Sequence, residues 1–209
     1  MNLDWLFKII FLAVFISFAG VMSYYRRRAE QASGNWRERL KAHNAHEVKS
    51  LVLLRTLFGV PFYLGLIAWL LAPQWMTWAS LPLPGWARWV GVLIGVLAVA
   101  LNIWAHQTLS TKLGVAFNPV LRLNTVPALV TEGPYRWVRH PIYLAFLLMM
   151  VAVTFLTANW VLGGCGLGLI LCVIGLRTSE EERRLIEQFG DQYRHYMHRT
   201  GGYLPRLGA

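Results

Sequence analysis

The sequence predicts an all-α integral membrane protein with about five transmembrane helices, an outside N-terminus and a cytoplasmic, amphipathic helical C-terminal tail. Three observations predict it. The 209 residues are 56% hydrophobic and only 14% charged, with a mean hydropathy of +0.44, more apolar than a soluble domain. Five separate apolar runs approach or exceed the length needed to cross a ~30 Å hydrocarbon core. The charged residues gather between those runs rather than along them.

The first run spans about Leu6 to Tyr25. No small-residue cleavage site follows it, and Tyr24-Tyr25-Arg26-Arg27-Arg28 reads as an aromatic belt with a stop signal, so an anchor is expected rather than a cleaved leader. The second spans about Leu51 to Ala72, with Arg55 near one end and Pro61 inside; the third spans Trp86 to Leu109. The fourth starts at Pro141 and ends near Ala158, and the fifth runs from Trp160 to about Leu176. Only Thr157-Ala158-Asn159 separates these two, which predicts a tight antiparallel hairpin. Gly91/Gly95 and Gly164/Gly168 are small-xxx-small pairs suited to helix packing. The run Gly163-Gly164-Cys165-Gly166-Leu167-Gly168 is no nucleotide loop, because it lies inside an apolar helix with no strand before it.

Charge sets the orientation. Arg26 to Lys49 carries seven Lys/Arg, Ser110 to His140 carries four and the tail from Arg177 carries six, whereas the loops at 72–85 and at Ala158 carry none. These alternate without conflict for five spans and place the Arg139/His140 cluster and the tail in the cytoplasm. The net charge of +10 then reports loops beside anionic lipid, and nothing resembles a nucleic-acid module. Cys165 and Cys172 lie inside the fifth run, where they read as packing residues and not as metal or redox groups. The whole is expected to be one membrane domain, with residues 1–109 on the acceptor side and residues 110–209 as a cofactor-binding half made of the hairpin 141–176 and the tail 177–209.

The chemistry-bearing stretch is Gly133-Pro134-Tyr135-Arg136-Trp137-Val138-Arg139-His140-Pro141-Ile142-Tyr143, which puts cations and tyrosines at the mouth of an apolar run. Polar clusters at such a boundary are costly unless they bind something. Past Arg177 comes Thr178-Ser179-Glu180-Glu181-Glu182, read as a helix start with Ser179 and Glu182 forming a capping box. Gly190 reads as a C-cap and Asp191 as the N-cap of a second short helix. Glu182, Leu185, Phe189, Tyr193 and Tyr196 share one face if the helix direction survives Gly190. Taken singly, these features have plain explanations. Glutamates favour a helix start, tyrosines anchor at interfaces, and His140 could merely mark a boundary. His43, His46, His195 and His198 read as solvated; the sequence does not decide the role of His106.

Taken together they fit one ligand. Arg139 and the free N–H groups opening the fourth helix suit a carboxylate, while Glu181 or Glu182 suits an ammonium or ribose hydroxyls. Tyrosine faces suit a sulfonium or an adenine ring, and Pro141 pre-sets the first helical turn. S-adenosylmethionine carries that set of groups.

The stretch from Gly133 to Leu144, the Glu181-Glu182-Leu185 element and the Phe189-Gly190-Tyr193-Tyr196 element resemble the isoprenylcysteine carboxyl methyltransferase family, whose wider relatives include phospholipid N-methyltransferases. The resemblance covers roughly Leu113 to Pro205. It implies a multi-span enzyme binding S-adenosylmethionine, with S-adenosylhomocysteine as product, in a cytoplasmic pocket of the last two spans and the tail. It also implies a lipid-like acceptor entering laterally from the bilayer. By position it places Tyr135, Arg139, His140, Pro141, Tyr143 and Leu144 around the cofactor, with Glu181 and Glu182 at the pocket and Tyr193 and Tyr196 closing it. Arg139 and Glu182 are the candidate catalytic residues. Ala145 departs from a glycine common in the family.

A carboxylate or thiolate acceptor needs no strong base, only an orienting cation such as Arg139, Arg122 or Arg177. An amine would need Glu181, Glu182 or a histidine as base. The rival readings are a phospholipid or amine N-methyltransferase, a sterol-reductase-like enzyme using a reduced nicotinamide dinucleotide, and a non-enzymatic membrane scaffold.

Overall fold

A computed structural model describes residues 4–32, 53–113 and 128–206. Arg122, His43, His46, Lys49 and the start of the second run fall outside the described residues. The described chain is helical: α1 (Asp4–Ala32), a π-helical turn (Arg55–Gly59) leading into α2 (Val60–Leu71), a 3-10 segment (Pro73–Ala79), α3 (Gly85–Leu113), a 3-10 turn (Gly133–Arg136), α4 (Pro141–Thr157), α5 (Trp160–Phe189) and α6 (Asp191–Arg199). Among the described residues, three helices are long and apolar enough to cross a membrane: Asp4–Arg28, Gly85–Leu113 and Trp160–Phe189. The apolar helices Arg55–Leu71 and Pro141–Thr157 are shorter; the 17 residues of α4 reach roughly 26 Å at 1.5 Å per residue.

Two compact units divide the chain. The described residues of the first lie within Met1–Phe18, Val48–Val99 and Ala145–Gly175. Its core is aromatic and aliphatic, with Phe7, Phe11, Phe62, Trp69, Met149, Leu156 and Leu162 buried. The predicted hairpin forms here. Ala158 takes a positive φ of 47°, and the Asn159 side chain accepts from the Leu162 N–H at 3.1 Å, capping α5. The antiparallel pairing is close because of glycine: a Cβ on Gly166 would lie 2.6 Å from Met150 Sδ, and Gly163 abuts Thr154. Gly91 and Gly95 serve packing as expected, their Cβ positions lying 2.6 Å from Phe155 Cβ and 2.8 Å from Val14 Cγ1. The second glycine pair does so only in part. Gly168 faces Phe58, but Gly164 faces open space, and the hairpin contact falls on Gly163 and Gly166 instead.

Polar groups in this unit also find partners. Arg88 donates to Asp4 at 2.7 Å and to the Leu156 carbonyl at 3.0 Å, with its guanidinium 4.0 Å from the Phe7 ring centre. It thereby satisfies a carbonyl at the end of α4 that has no helical partner. Lys8 does the same for α2 by donating to the Leu70 carbonyl at 3.1 Å.

The second unit holds described residues within Ala19–Glu47, Ala100–Leu144 and Leu176–Ala209. Here α5 corrects the sequence reading. No helix begins at Ser179, because α5 is one continuous helix over Trp160–Phe189. Arg, Glu, Gln and Leu past Gly175 are strong helix formers, and Glu180 pairs with Arg184 and Arg183 with Glu187 one turn apart. Nothing stops the helix until Gly190, whose φ of 55° no other residue would adopt cheaply. That glycine ends α5 as expected. It is also the N-cap of α6, so Asp191 is already the first helical residue and not the cap; its carboxylate accepts from Arg194 at 2.8 Å instead. The helix direction does not survive Gly190, and the single face from Glu182 to Tyr196 is not formed.

Candidate functional site: an acidic pair held by Arg139 and His140

The site lies in the second unit and is built from a loop, the first turn of α4, the polar end of α5 and the segment after α6. Gly133 starts the loop. It has a φ of 57° and abuts Thr108 of α3, where a Cβ would come within 2.5 Å of Oγ1. Lys112 pairs with Glu132, and the Trp104 and Trp137 rings meet at 5.5 Å, so α3 fixes the loop before the motif begins. At Val138 the chain forms a parallel bridge with Gly201. Arg139 N–H then donates to Gly201 O at 2.8 Å and His140 N–H to Gly202 O at 3.0 Å. Pro141 opens α4, and the Leu144 N–H closes its first turn on His140 O at 3.0 Å.

The side chains converge on α5. Arg139 Nε donates to Glu182 Oε1 at 2.9 Å, and His140 Nε2 lies 3.0 Å from the same oxygen. A carboxylate only accepts, so the histidine donates. Arg139 Nη1 also donates to Thr200 O at 2.5 Å and Met197 O at 3.3 Å. One carboxylate oxygen therefore accepts from both side chains. Tyr143 donates to Glu181 Oε2 at 3.3 Å, with His140 Nδ1 at 4.0 Å from that atom. The His140 ring is 5% exposed and nearly parallel to Tyr143, 5.7 Å away.

The two α6 tyrosines have different neighbours. Tyr196 donates to the Tyr135 carbonyl at 2.6 Å. Tyr193 is 1% exposed, and its hydroxyl has no hydrogen-bond partner among the described residues. Burial first, then the negative charge of Glu182, pushes Tyr193 well above the usual tyrosine range. Burial pushes Tyr196 up to about 12 against the pull of Arg139, and burial raises Tyr135 as well. All three stay neutral and able to donate at physiological pH.

Most of the sequence-derived site is thus brought together: Tyr135, Arg139, His140, Tyr143, Glu181, Glu182 and Tyr196 through direct contacts, and Tyr193 against Tyr196 at 5.9 Å. Pro141 is fully buried. Leu144 takes part through its backbone, and Ala145 is buried with no exposure. Sequence reasoning missed Thr178, Thr200, Gly201, Gly202 and Tyr203. The Gly-Gly pair directly after a basic helix was the available signal for a turn, but nothing local says which backbone it meets. His106, unassigned from sequence, is buried with Nδ1 donating to Asn102 O at 2.9 Å and its ring stacked on Tyr25 at 4.9 Å. His195 and His198 are exposed, as expected.

Comparison with known proteins converges on one family. A model of the isoprenylcysteine carboxyl methyltransferase (ICMT) family matches residues 84–187, a range that contains Arg139, His140 and both glutamates but ends before α6. Human protein-S-isoprenylcysteine O-methyltransferase is 32% identical over 133 residues, covering 61% of this chain and 44% of that protein. Methanethiol S-methyltransferase 1 of Bradyrhizobium diazoefficiens is 38% identical over 81 residues, 39% of this chain and 27% of that protein. The chain thus spans less than half the length of these curated relatives. A solved structure of the eukaryotic intramembrane Ras methyltransferase ICMT superposes with a TM-score of 0.55 over 95% of this chain and 68% of that one; at 18% identity, that likeness is one of fold. With the Arg139–His140–Glu182 cluster built inside the matched range and the helical fold shared, this integral membrane protein is similar to the isoprenylcysteine carboxyl methyltransferase family over about half of its length.

Proposed function

We propose that the chain is an S-adenosylmethionine-dependent methyltransferase acting on a membrane-associated or hydrophobic acceptor, with a carboxylate or thiol preferred. The observation that carries this reading is the shared use of Glu182 Oε1 by Arg139 and His140. It holds the carboxylate in place, and a carboxylate has a second oxygen that can accept from a bound ligand. The chemistry of the residues fits S-adenosylmethionine. Glu182 and Glu181 supply acceptors for an ammonium or ribose hydroxyls, the Tyr143 and His140 rings supply aromatic faces, and the buried, unpartnered Tyr193 hydroxyl offers a polar contact. When bound, that cofactor supplies an electrophilic sulfonium methyl.

The chain's own residues then have three tasks. Glu181 and Glu182 bind and orient. Arg139 positions Glu182 and the Thr200 carbonyl, and its charge favours an anionic acceptor nearby. The tyrosines, neutral through physiological pH, exclude water without adding charge. A thiolate or carboxylate acceptor asks for no further proton transfer, in keeping with relatives named for an isoprenylcysteine and for methanethiol. The acceptor would reach the site laterally from the bilayer. The five-span arrangement with an outside N-terminus would put the site on the cytoplasmic side.

Calorimetric titration of detergent-purified protein with S-adenosylhomocysteine tests this directly. Binding by the wild type is expected to weaken roughly 10–100-fold in Glu182→Gln and in His140→Ala, the range of charge-assisted hydrogen bonds lost. Wild-type affinity in both folded variants would remove the site from consideration.

A further inference from the structure

We propose that Tyr203 is a positioning residue for this site, acting through His140. The inference rests on the reading of the Glu181/Glu182 cluster as a cofactor site. Tyr203 lies beyond the range that the family model matches.

Tyr203 closes a circuit that begins and ends on α5. Its hydroxyl shares a 2.5 Å hydrogen bond with Thr178 Oγ1. Thr178 and Glu182 are four residues apart on one continuous helix, so they lie on the same face. The Tyr203 ring sits 5.6 Å from the His140 ring at 33°, and His140 Nε2 returns to Glu182. Rotation of the imidazole about its bond to Cβ would carry Nε2 away from Glu182. Tyr143 and Tyr203 both lie within about a third of a right angle of the imidazole plane and resist that rotation. The backbone prepares the arrangement, because His140 N–H donates to Gly202 O, the residue just before Tyr203. Gly201 is required for the turn, since a Cβ there would collide with the Leu204 carbonyl. Tyr203 itself is only half-buried, so its place in this circuit, more than its contribution to a core, accounts for its contacts.

Four variants test the idea: Tyr203→Phe, Thr178→Val, the double variant and Tyr203→Ala. S-adenosylhomocysteine affinity, thermal midpoint and the His140 Nε2–H signal of histidine-labelled protein in micelles are the readouts. Loss of the hydroxyl pair in either single variant weakens binding roughly 3–10-fold. The double variant is no weaker than the singles, because both remove the same bond. Tyr203→Ala weakens binding further and shifts the His140 signal, and Tyr203→Phe restores most of that signal by returning the ring. Wild-type affinity and an unshifted His140 signal in Tyr203→Ala, with only a lower thermal midpoint, would reduce Tyr203 to a structural residue and overturn the proposal. If the wild type binds no S-adenosylhomocysteine, the cofactor reading fails separately. Positioning of His140 by Tyr203 then stands or falls on the His140 signal in Tyr203→Ala.

Discussion

Arg139 and Glu182 are both largely buried, with side chains 14% and 18% exposed, yet their substitutions should differ. Glu182→Gln keeps an oxygen that can accept from Arg139 and His140, so the fold survives while ligand binding weakens. Arg139→Ala leaves Glu182 with His140 alone and releases the Thr200 and Met197 carbonyls. Its cost to stability should be about 1.5–3 kcal/mol, the range for hydrogen bonds to charged groups. Thermal unfolding of the two variants side by side checks this, and equal losses would contradict it. The identity of these residues could be read from the sequence because cations and carboxylates are costly beside apolar runs. Their pairing could not, because it joins positions 43 residues apart and no local pattern reports such a distance.

Glycines divide the helices into contact and open faces. A methyl at Gly91 would strike the Phe155 Cβ and come within 3.1 Å of the Leu156 nitrogen, whereas one at Gly164 meets nothing within 4 Å. Gly91→Ala should therefore destabilise by about 1–3 kcal/mol through overpacking. Gly164→Ala should be neutral or stabilising by up to ~1 kcal/mol from helix propensity. Circular dichroism melts in detergent distinguish them, and a stabilising Gly91→Ala would show the α3–α4 contact to be looser than described. Spacing alone marked both glycine pairs. Which member touches a neighbour depends on how the α4–α5 hairpin rotates its second helix, and that is set by the Ala158-Asn159 turn. The same limit applied at Ser179. A capping-box pattern is a local signal, and a helix already propagating through Glu180–Arg184 pairs overrides it.

At the scale of the molecule, two outcomes are expected. The first concerns pH. Tyr196 has its pKa raised by burial to about 12 from an unfolded value near ~10, so its contribution to stability is full below pH ~10. It is lost as pH rises to about 12, because above pH ~10 the unfolded chain releases this proton before the folded one does. Tyr135 and Tyr193 shift in the same direction. Unfolding midpoints should fall across that interval, and a Tyr196→Phe variant should fall less. The second concerns topology. With Cys165 and Cys172 replaced, a cysteine at exposed Gln74 should be labelled by an impermeant reagent in whole cells, and one at exposed His195 only after permeabilisation. The reverse pattern would invert the proposed orientation.

By itself, the sequence determined the features that local composition dictates: an all-helical membrane chain, the hairpin at Thr157–Asn159, the glycine that ends α5, and the residue types of the site. Hydrophobic runs, turn residues and charge clusters are short-range signals, legible wherever they occur. Only the tertiary structure decided that one oxygen of Glu182 receives both Arg139 and His140. It alone made α5 a single helix through Thr178 and Glu182, and it alone brought the Thr200–Tyr203 backbone against Val138–His140. Those arrangements depend on hydrogen bonds between segments some 40 to 60 residues apart in the chain, whose partners are chosen by the folded backbone and by nothing in their own neighbourhoods.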